Sequence, residues 1–147
     1  MGQEPVLNCL MQGKGFVSPV ERQQLNIEPR VYSHIREITM GTPSELWMFA
    51  RTVIPLETLR GSAKRLAKID KKPIGKILFG RNGAIRKTLQ VERIDAEEAN
   101  LDRFNLAQFN IDKCFRFWQR RSIFQLETGP LMICETFLPS CPIYSND

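Results

Sequence analysis

The sequence has a single histidine, His34, and four cysteines, Cys9, Cys114, Cys134 and Cys141, with no CxxC spacing among them. A zinc site built from clustered ligands is therefore not expected. One histidine, with no serine or cysteine context marking a nucleophile, also argues against Ser-His-Asp or Cys-His catalysis. Nothing forces a disulfide, so a reducing cytoplasm is the expected compartment. No apolar run approaches the roughly 20 residues needed to span a bilayer, so membrane insertion is not expected. The opening "MGQEPVLNCL" shows no basic region followed by a long apolar stretch, and Val6 breaks the myristoylation pattern after Gly2. Internal repeats and low-complexity tracts are absent.

What is present suits one globular domain. The chain has 147 residues, 42% hydrophobic and 25% charged, enough for a single sizeable core. A net charge of +5 raises the question of nucleic acid. The lysines and arginines are scattered, however, and the densest group, Lys64 to Lys76, reads as a solvated helix face and its exit. With no interleaved exposed aromatics and no recognisable motif, a nucleic-acid partner is not expected. An anionic small substrate would profit equally from a basic surface.

The elements run strands, helices, strands. Val6–Met11 is a short strand candidate, and residues 18–30, with Pro19 and Pro29, read as a loop. Val31–Met40 and Leu46–Pro55 flank a Gly-Thr-Pro-Ser turn and form an antiparallel hairpin. The stretch from Pro55 to Phe79 reads as two short helices with a break near Lys72 to Gly75. Ala84–Ile94 returns to strand character. "AEEANLDRFNLAQFNID" is polar and helix-tolerant, an exposed excursion. "CFRFWQRRSIFQLE" and "LMICETFLP", joined by Thr128, Gly129 and Pro130, make a final hairpin. This order predicts an α+β fold with a mainly antiparallel sheet and helices packed over one face.

Three charges stand in apolar strands. Side chains alternate across a strand. Glu135 shares its face with Leu131, Ile133 and Phe137. Arg36 shares its face with Tyr32, His34, Ile38 and Met40, and Arg51 with Trp47, Phe49 and Val53. A buried unpaired charge costs several kcal/mol, on the order of the desolvation penalty per ion. Each group must find a partner or a ligand. One solution is structural, a buried Arg–Glu pair between strands or arginines reaching the sheet edge. The other is a polar pocket between sheet and helices, with Arg36, Arg51 and Glu135 around one cavity. Two arginines suit a dicarboxylate, because each guanidinium offers a planar fork. A desolvated glutamate suits proton transfer.

"YSHIREI", "WMFARTVIP", "KPIGKILF", "WQRRSIFQL" and "GPLMICETFLPSCPIY" occur in this order. Together they resemble the chorismate pyruvate-lyase family, the first enzymes of ubiquinone head-group synthesis, from about Val6 to Tyr144. The resemblance implies a six-stranded antiparallel sheet with helices on it. It implies elimination of pyruvate from chorismate to give 4-hydroxybenzoate, with no metal or organic cofactor. Arg36 in "IREI" matches the family's arginine for the ring carboxylate. Arg51 in "ARTVIP" matches its second active-site arginine, and it is expected to be catalytic, binding the enolpyruvyl side and stabilising charge on the departing group. Glu135 in "CETFLP" matches the glutamate at the opposite end of the ring, and Ile74 in "PIG" matches the position whose backbone contacts the product.

Two departures accompany the resemblance. Family members begin with an additional helical segment that covers the site and brings a methionine to the ligand, and no residue here matches it. Residues 1–147 are thus expected to form one domain without that cover. The segment from Asp95 to Phe117 is longer than the family's usual connection. The same fold also resembles effector-binding domains of bacterial transcription regulators, so the alternative function is non-catalytic binding of an aromatic acid.

Overall fold

Six strand-forming segments make one antiparallel sheet. The computed structural model describes residues 4–79, 83–101, 111–112 and 114–142. In chain order the elements are β1 (Val6–Gly15), α1 (Pro19–Leu25), β2 (Ser33–Gly41), β3 (Leu46–Pro55), α2 (Ile74–Leu78), β4 (Ile85–Ile94), β5 (Phe117–Leu126) and β6 (Gly129–Phe137). Short 3-10 segments cover Leu56–Thr58 and Gly61–Lys68. The order across the sheet is β1-β2-β3-β6-β5-β4, and every neighbouring pair is antiparallel. This is the α+β architecture expected from the sequence.

Each face of the sheet has its own cover. On one face the 3-10 helix and α2 bury Ala63, Leu66 and Leu78 against Ile54, Phe124, Leu131 and Ile133. This is called the helical face below. On the opposite face, Leu25 and Ile27 pack on Val53 and Met132, while Phe49, Phe117 and Leu138 form a core with Ile94, Ala96, Ala99, Leu101 and Ile111.

Two segments differ from expectation. Residues 18–30 contain α1 rather than only loop. Ser18 caps it with a full capping box: Glu21 N–H donates to Ser18 Oγ at 3.2 Å, and Ser18 N–H donates to Glu21 Oε1 at 2.9 Å. Pro19 at the first helical position is compatible with that start, since its missing N–H would have been unpaired there. The second is the stretch after β4. Its polar character suggested an exposed excursion, yet Ala96, Ala99 and Leu101 are buried against the sheet. Residues 102–110 of it lie outside the described residues.

The β5–β6 turn is pinned from outside. Thr58 Oγ donates to Pro130 O at 2.8 Å, and Thr128 Oγ donates to Thr58 O at 2.6 Å. Gly129 has φ +149°, and a Cβ there would meet Thr58 Oγ at 2.6 Å, so this close approach needs glycine. The hairpin register that follows, Leu126 opposite Gly129, sets every pair further along the two strands.

Candidate active site

Arg36 lies in a row that crosses the sheet as Gln12, Arg36, Thr52, Ile133, Ser122 and Leu89. The next row on the same face is Ile38, Ala50, Glu135, Arg120 and Val91. Arg36 and Glu135 are thus two strands and two residues apart. With strands about 4.8 Å apart and a rise of about 3.4 Å per residue, their Cα atoms are separated by about 12 Å. Between them the floor is Ile38, Ala50, Thr52 and Ile133, apolar or small.

Arg36 is only 2% exposed. Its Nε donates to Asp70 O at 3.1 Å, and its Nη2 donates to Asp70 O at 2.8 Å and to Lys72 O at 2.7 Å. These carbonyls come from the connection between the 3-10 helix and α2. Gln12 holds the same connection from β1, through Asp70 N–H and Asp70 Oδ1, each at 3.0 Å. Among the described residues Arg36 has no carboxylate in salt-bridge contact, and its Nη1 has no hydrogen-bond partner. Burial lowers its pKa from the ordinary arginine value. A buried guanidinium held by neutral carbonyls keeps a full positive charge for an anion.

Ile74 opens α2 two residues beyond the Lys72 carbonyl that Arg36 grips. Its N-cap residue, Pro73, makes no side-chain capping hydrogen bond, and among the described residues no side chain accepts from the Ile74 N–H. The Ile74 side chain is partly buried against the helical-face core.

Glu135 meets Arg120, its cross-strand partner on β5. Arg120 Nε donates to Glu135 Oε1 at 2.8 Å, and Nη2 donates to Oε2 at 3.0 Å. The hydrogen bond to Glu135 raises the pKa of Arg120, against the opposing effect of burial. The structural alternative raised by the sequence, a cross-strand Arg–Glu pair, therefore exists at Glu135, with Arg120 rather than Arg36 or Arg51. Arg120 was not singled out from the sequence. Its signal was the hairpin register: a turn at Glu127 and Thr128 puts Arg120 opposite Glu135.

Arg51 is on the other face. The expected grouping of Arg36, Arg51 and Glu135 around one cavity is not formed. Arg51 shares a row with Glu37, Cys134 and Arg121. Its Nε donates to Glu21 Oε2 at 2.7 Å, Nη2 to Glu21 Oε1 at 3.1 Å, and Nη1 to Glu37 Oε2 at 3.1 Å. Burial alone would lower its pKa, but the hydrogen bonds and charges of Glu21 and Glu37 outweigh it and raise the value. The physical reason for the placement is parity. Arg36 pairs with Thr52, so the neighbouring residue Arg51 must point the opposite way. Arg51 also borders a cleft of about 510 Å³ on that opposite face, with Gln119, Arg121 and Cys134 along its floor.

Three further groups bear on the chemistry. His34 precedes Arg36 by two residues and shares its face; burial, then the Arg36 charge, lowers its pKa, and its Nε2 is buried without a partner. Ser122 Oγ, in the Arg36 row, is likewise buried without a partner. Burial pushes the Cys134 thiol up to about 11, which leaves it protonated at neutral pH and a poor nucleophile. Among the described residues no group of three His, Cys, Asp or Glu side chains could hold a metal ion. No described helix is long and apolar enough to cross a membrane.

Comparison with known proteins gives two results. The family model described as Chorismate lyase matches residues 4–147. A chorismate pyruvate-lyase from Yersinia enterocolitica is 34% identical over 125 residues, covering 85% of this chain and 61% of that protein. One from Pectobacterium atrosepticum is 30% identical over 135 residues, covering 89% of this chain and 64% of that protein. The chain thus spans about three fifths of the length of the curated relatives it matches. Among solved structures, the C-terminal domain of the histidine utilization repressor from Pseudomonas syringae pv. tomato superposes with a TM-score of 0.68 at 11% identity, covering 93% of this chain and 92% of that one. A GntR-family regulator from Bacillus cereus gives 0.65 at 13% identity, with 93% of each chain covered. At these identities the likeness is one of fold.

Proposed function

The chain belongs to the chorismate lyase family, and from that premise we propose that it cleaves chorismate into 4-hydroxybenzoate and pyruvate. The observation that carries the proposal is Arg36, a fully buried guanidinium whose hydrogen-bond partners among the described residues are carbonyls, on the same sheet face as Glu135. Arg36 binds the ring carboxylate through its free Nη1, helped by the main-chain N–H of Ile74. The ring lies over Ala50, Thr52 and Ile133. Glu135 takes the hydroxyl end.

The reaction needs no external oxidant or reductant. The ether bond at C3 breaks, C4 loses its hydrogen, and the enol methylene gains one. The ring becomes aromatic and pyruvate departs. The protein's work is to hold the two ends of the ring and to balance charge as the bond breaks. Glu135 serves either as hydrogen-bond acceptor for the 4-hydroxyl or as the group that assists proton transfer. Arg51 acts at a distance in this proposal: through Glu21 and Glu37 it fixes α1 to the sheet.

Production of 4-hydroxybenzoate for ubiquinone head groups, in the cytoplasm and without a metal or organic cofactor, is the setting this activity fits. The test is incubation of the pure protein with chorismate, with pyruvate and 4-hydroxybenzoate measured together. Equal release of both supports the lyase. Tight binding of 4-hydroxybenzoate with no pyruvate formed would replace it with the effector-binding alternative.

A further inference from the structure

Chorismate carries two carboxylates, and the product keeps one. If Arg36 holds the ring carboxylate, the enolpyruvyl carboxylate needs a second cationic group on the same face. Arg51 cannot supply it, because its guanidinium is on the opposite face and engaged by Glu21 and Glu37. We propose that Arg120 and Ser122 form this second carboxylate site and receive the enolpyruvyl arm. The assignment rests on the chorismate-cleaving function proposed above.

The geometry of Arg120 carries it. One edge of the guanidinium, Nε and Nη2, is spent on Glu135. Among the described residues Nη1 has no hydrogen-bond partner, so the edge formed by Nη1 and the second Nη2 hydrogen is an open fork. Position agrees. Arg120 is the direct neighbour of Glu135, and the enolpyruvyl ether at C3 is next to the hydroxyl-bearing C4 that Glu135 receives. Ser122 stands two residues further along β5, in the Arg36 row, with its hydroxyl buried and unpartnered. A carboxylate between the fork and that hydroxyl would satisfy both. The Arg120 side chain is 40% exposed, so the site reaches the surface and gives the departing pyruvate a way out.

Arg120 therefore does two jobs with one planar group. It keeps the Glu135 carboxylate paired, and it offers its remaining edge to the substrate. The two jobs separate experimentally because 4-hydroxybenzoate has the hydroxyl that Glu135 binds but no enolpyruvyl carboxylate. Calorimetric affinities for chorismate and for 4-hydroxybenzoate should be measured on wild type, Arg120→Gln, Arg120→Lys and Ser122→Ala, with pyruvate release recorded alongside. The read-out is the ratio of the two affinities. For Arg120→Gln the chorismate affinity should fall about 10- to 100-fold further than the 4-hydroxybenzoate affinity. Arg120→Lys, which keeps the charge beside Glu135, should shift the ratio the same way by a smaller factor, as should Ser122→Ala. Equal losses for both ligands, or no loss for either, would overturn the assignment. Should Arg120→Gln fail to fold, the lysine and alanine variants decide alone. A wild type that binds both compounds but releases no pyruvate would sink the lyase reading while the affinity ratio still judges Arg120. A wild type that binds neither would overturn both.

Discussion

Arg51 and Glu37 stand directly opposite each other on β3 and β2, joined by a 3.1 Å hydrogen bond from Nη1 to Oε2. Glu21 of α1 closes the other side of the same guanidinium. The triad has side-chain exposures of 19% for Arg51, 10% for Glu21 and 3% for Glu37. Removing the cation would leave two carboxylates facing each other in a largely dry site. Arg51→Met should lower stability by about 3–5 kcal/mol in urea unfolding. The folded fraction should still bind 4-hydroxybenzoate, because Arg36 and Glu135 lie across the sheet. Full stability with binding abolished would show instead that Arg51 reaches the ligand.

Glu135→Gln separates structure from chemistry at the other ion pair. Glu135 is 18% exposed and its partner 40%, so the pair is partly solvated and worth about 1 kcal/mol or less to the fold. The denaturant midpoint should hardly move. Pyruvate release should fall about 100-fold, the scale typical of a group that assists proton transfer. Unchanged turnover with a large stability loss would make Glu135 a structural residue.

Arg36→Lys keeps the charge and loses the fork. Wild-type protein with 4-hydroxybenzoate at a hundredfold its Kd should gain about 2.7 kcal/mol of stability. The lysine variant, at the same concentration, should gain less than about 1 kcal/mol. Thermal melts with and without the compound provide the comparison. An equal gain in both proteins would mean that the ring carboxylate is held elsewhere.

His34 makes the fold sensitive to mild acid. Burial and the Arg36 charge depress its pKa in the native state. Below the ordinary histidine value of about 6.5, the unfolded chain takes up a proton that native His34 resists. Stability is therefore fully present above that value and declines as pH falls through it. The chain has one histidine, so a slope in urea midpoint between about pH 7 and 5.5, above the usual carboxylate range, is attributable to it. His34→Gln should flatten that slope. An identical slope in the variant would place its origin elsewhere.

The sequence by itself determined the strands and the anomaly within them. Residues 46–55 read as a strand, and β3 has those limits. Pro73 forced the break that lets α2 start at Ile74, because proline is poor inside a helix and acceptable just before one. Arg36, Arg51 and Glu135 were visible as charges that their strands could not solvate. The α1 start was also present, in Ser18, Pro19 and Glu21, although the prolines of that segment favoured a loop. Only the register decided which charges meet. In the β2–β3 hairpin Gly41 pairs with Leu46, but Met40 pairs with Met48, so Trp47 is an extra residue in a bulge. The Trp47 carbonyl accepts from Leu138 N–H at 2.8 Å, a contact from beyond the end of β6. Without that one-residue shift, Arg36 would stand opposite Arg51 on one face. With it, Arg36 pairs with Thr52 and Arg51 turns to Glu37. Strand composition and alternation are local properties and can be read along the chain. A bulge fixed by a residue about 90 positions away is not, and because side chains alternate, a shift of one residue exchanges the two faces of the sheet.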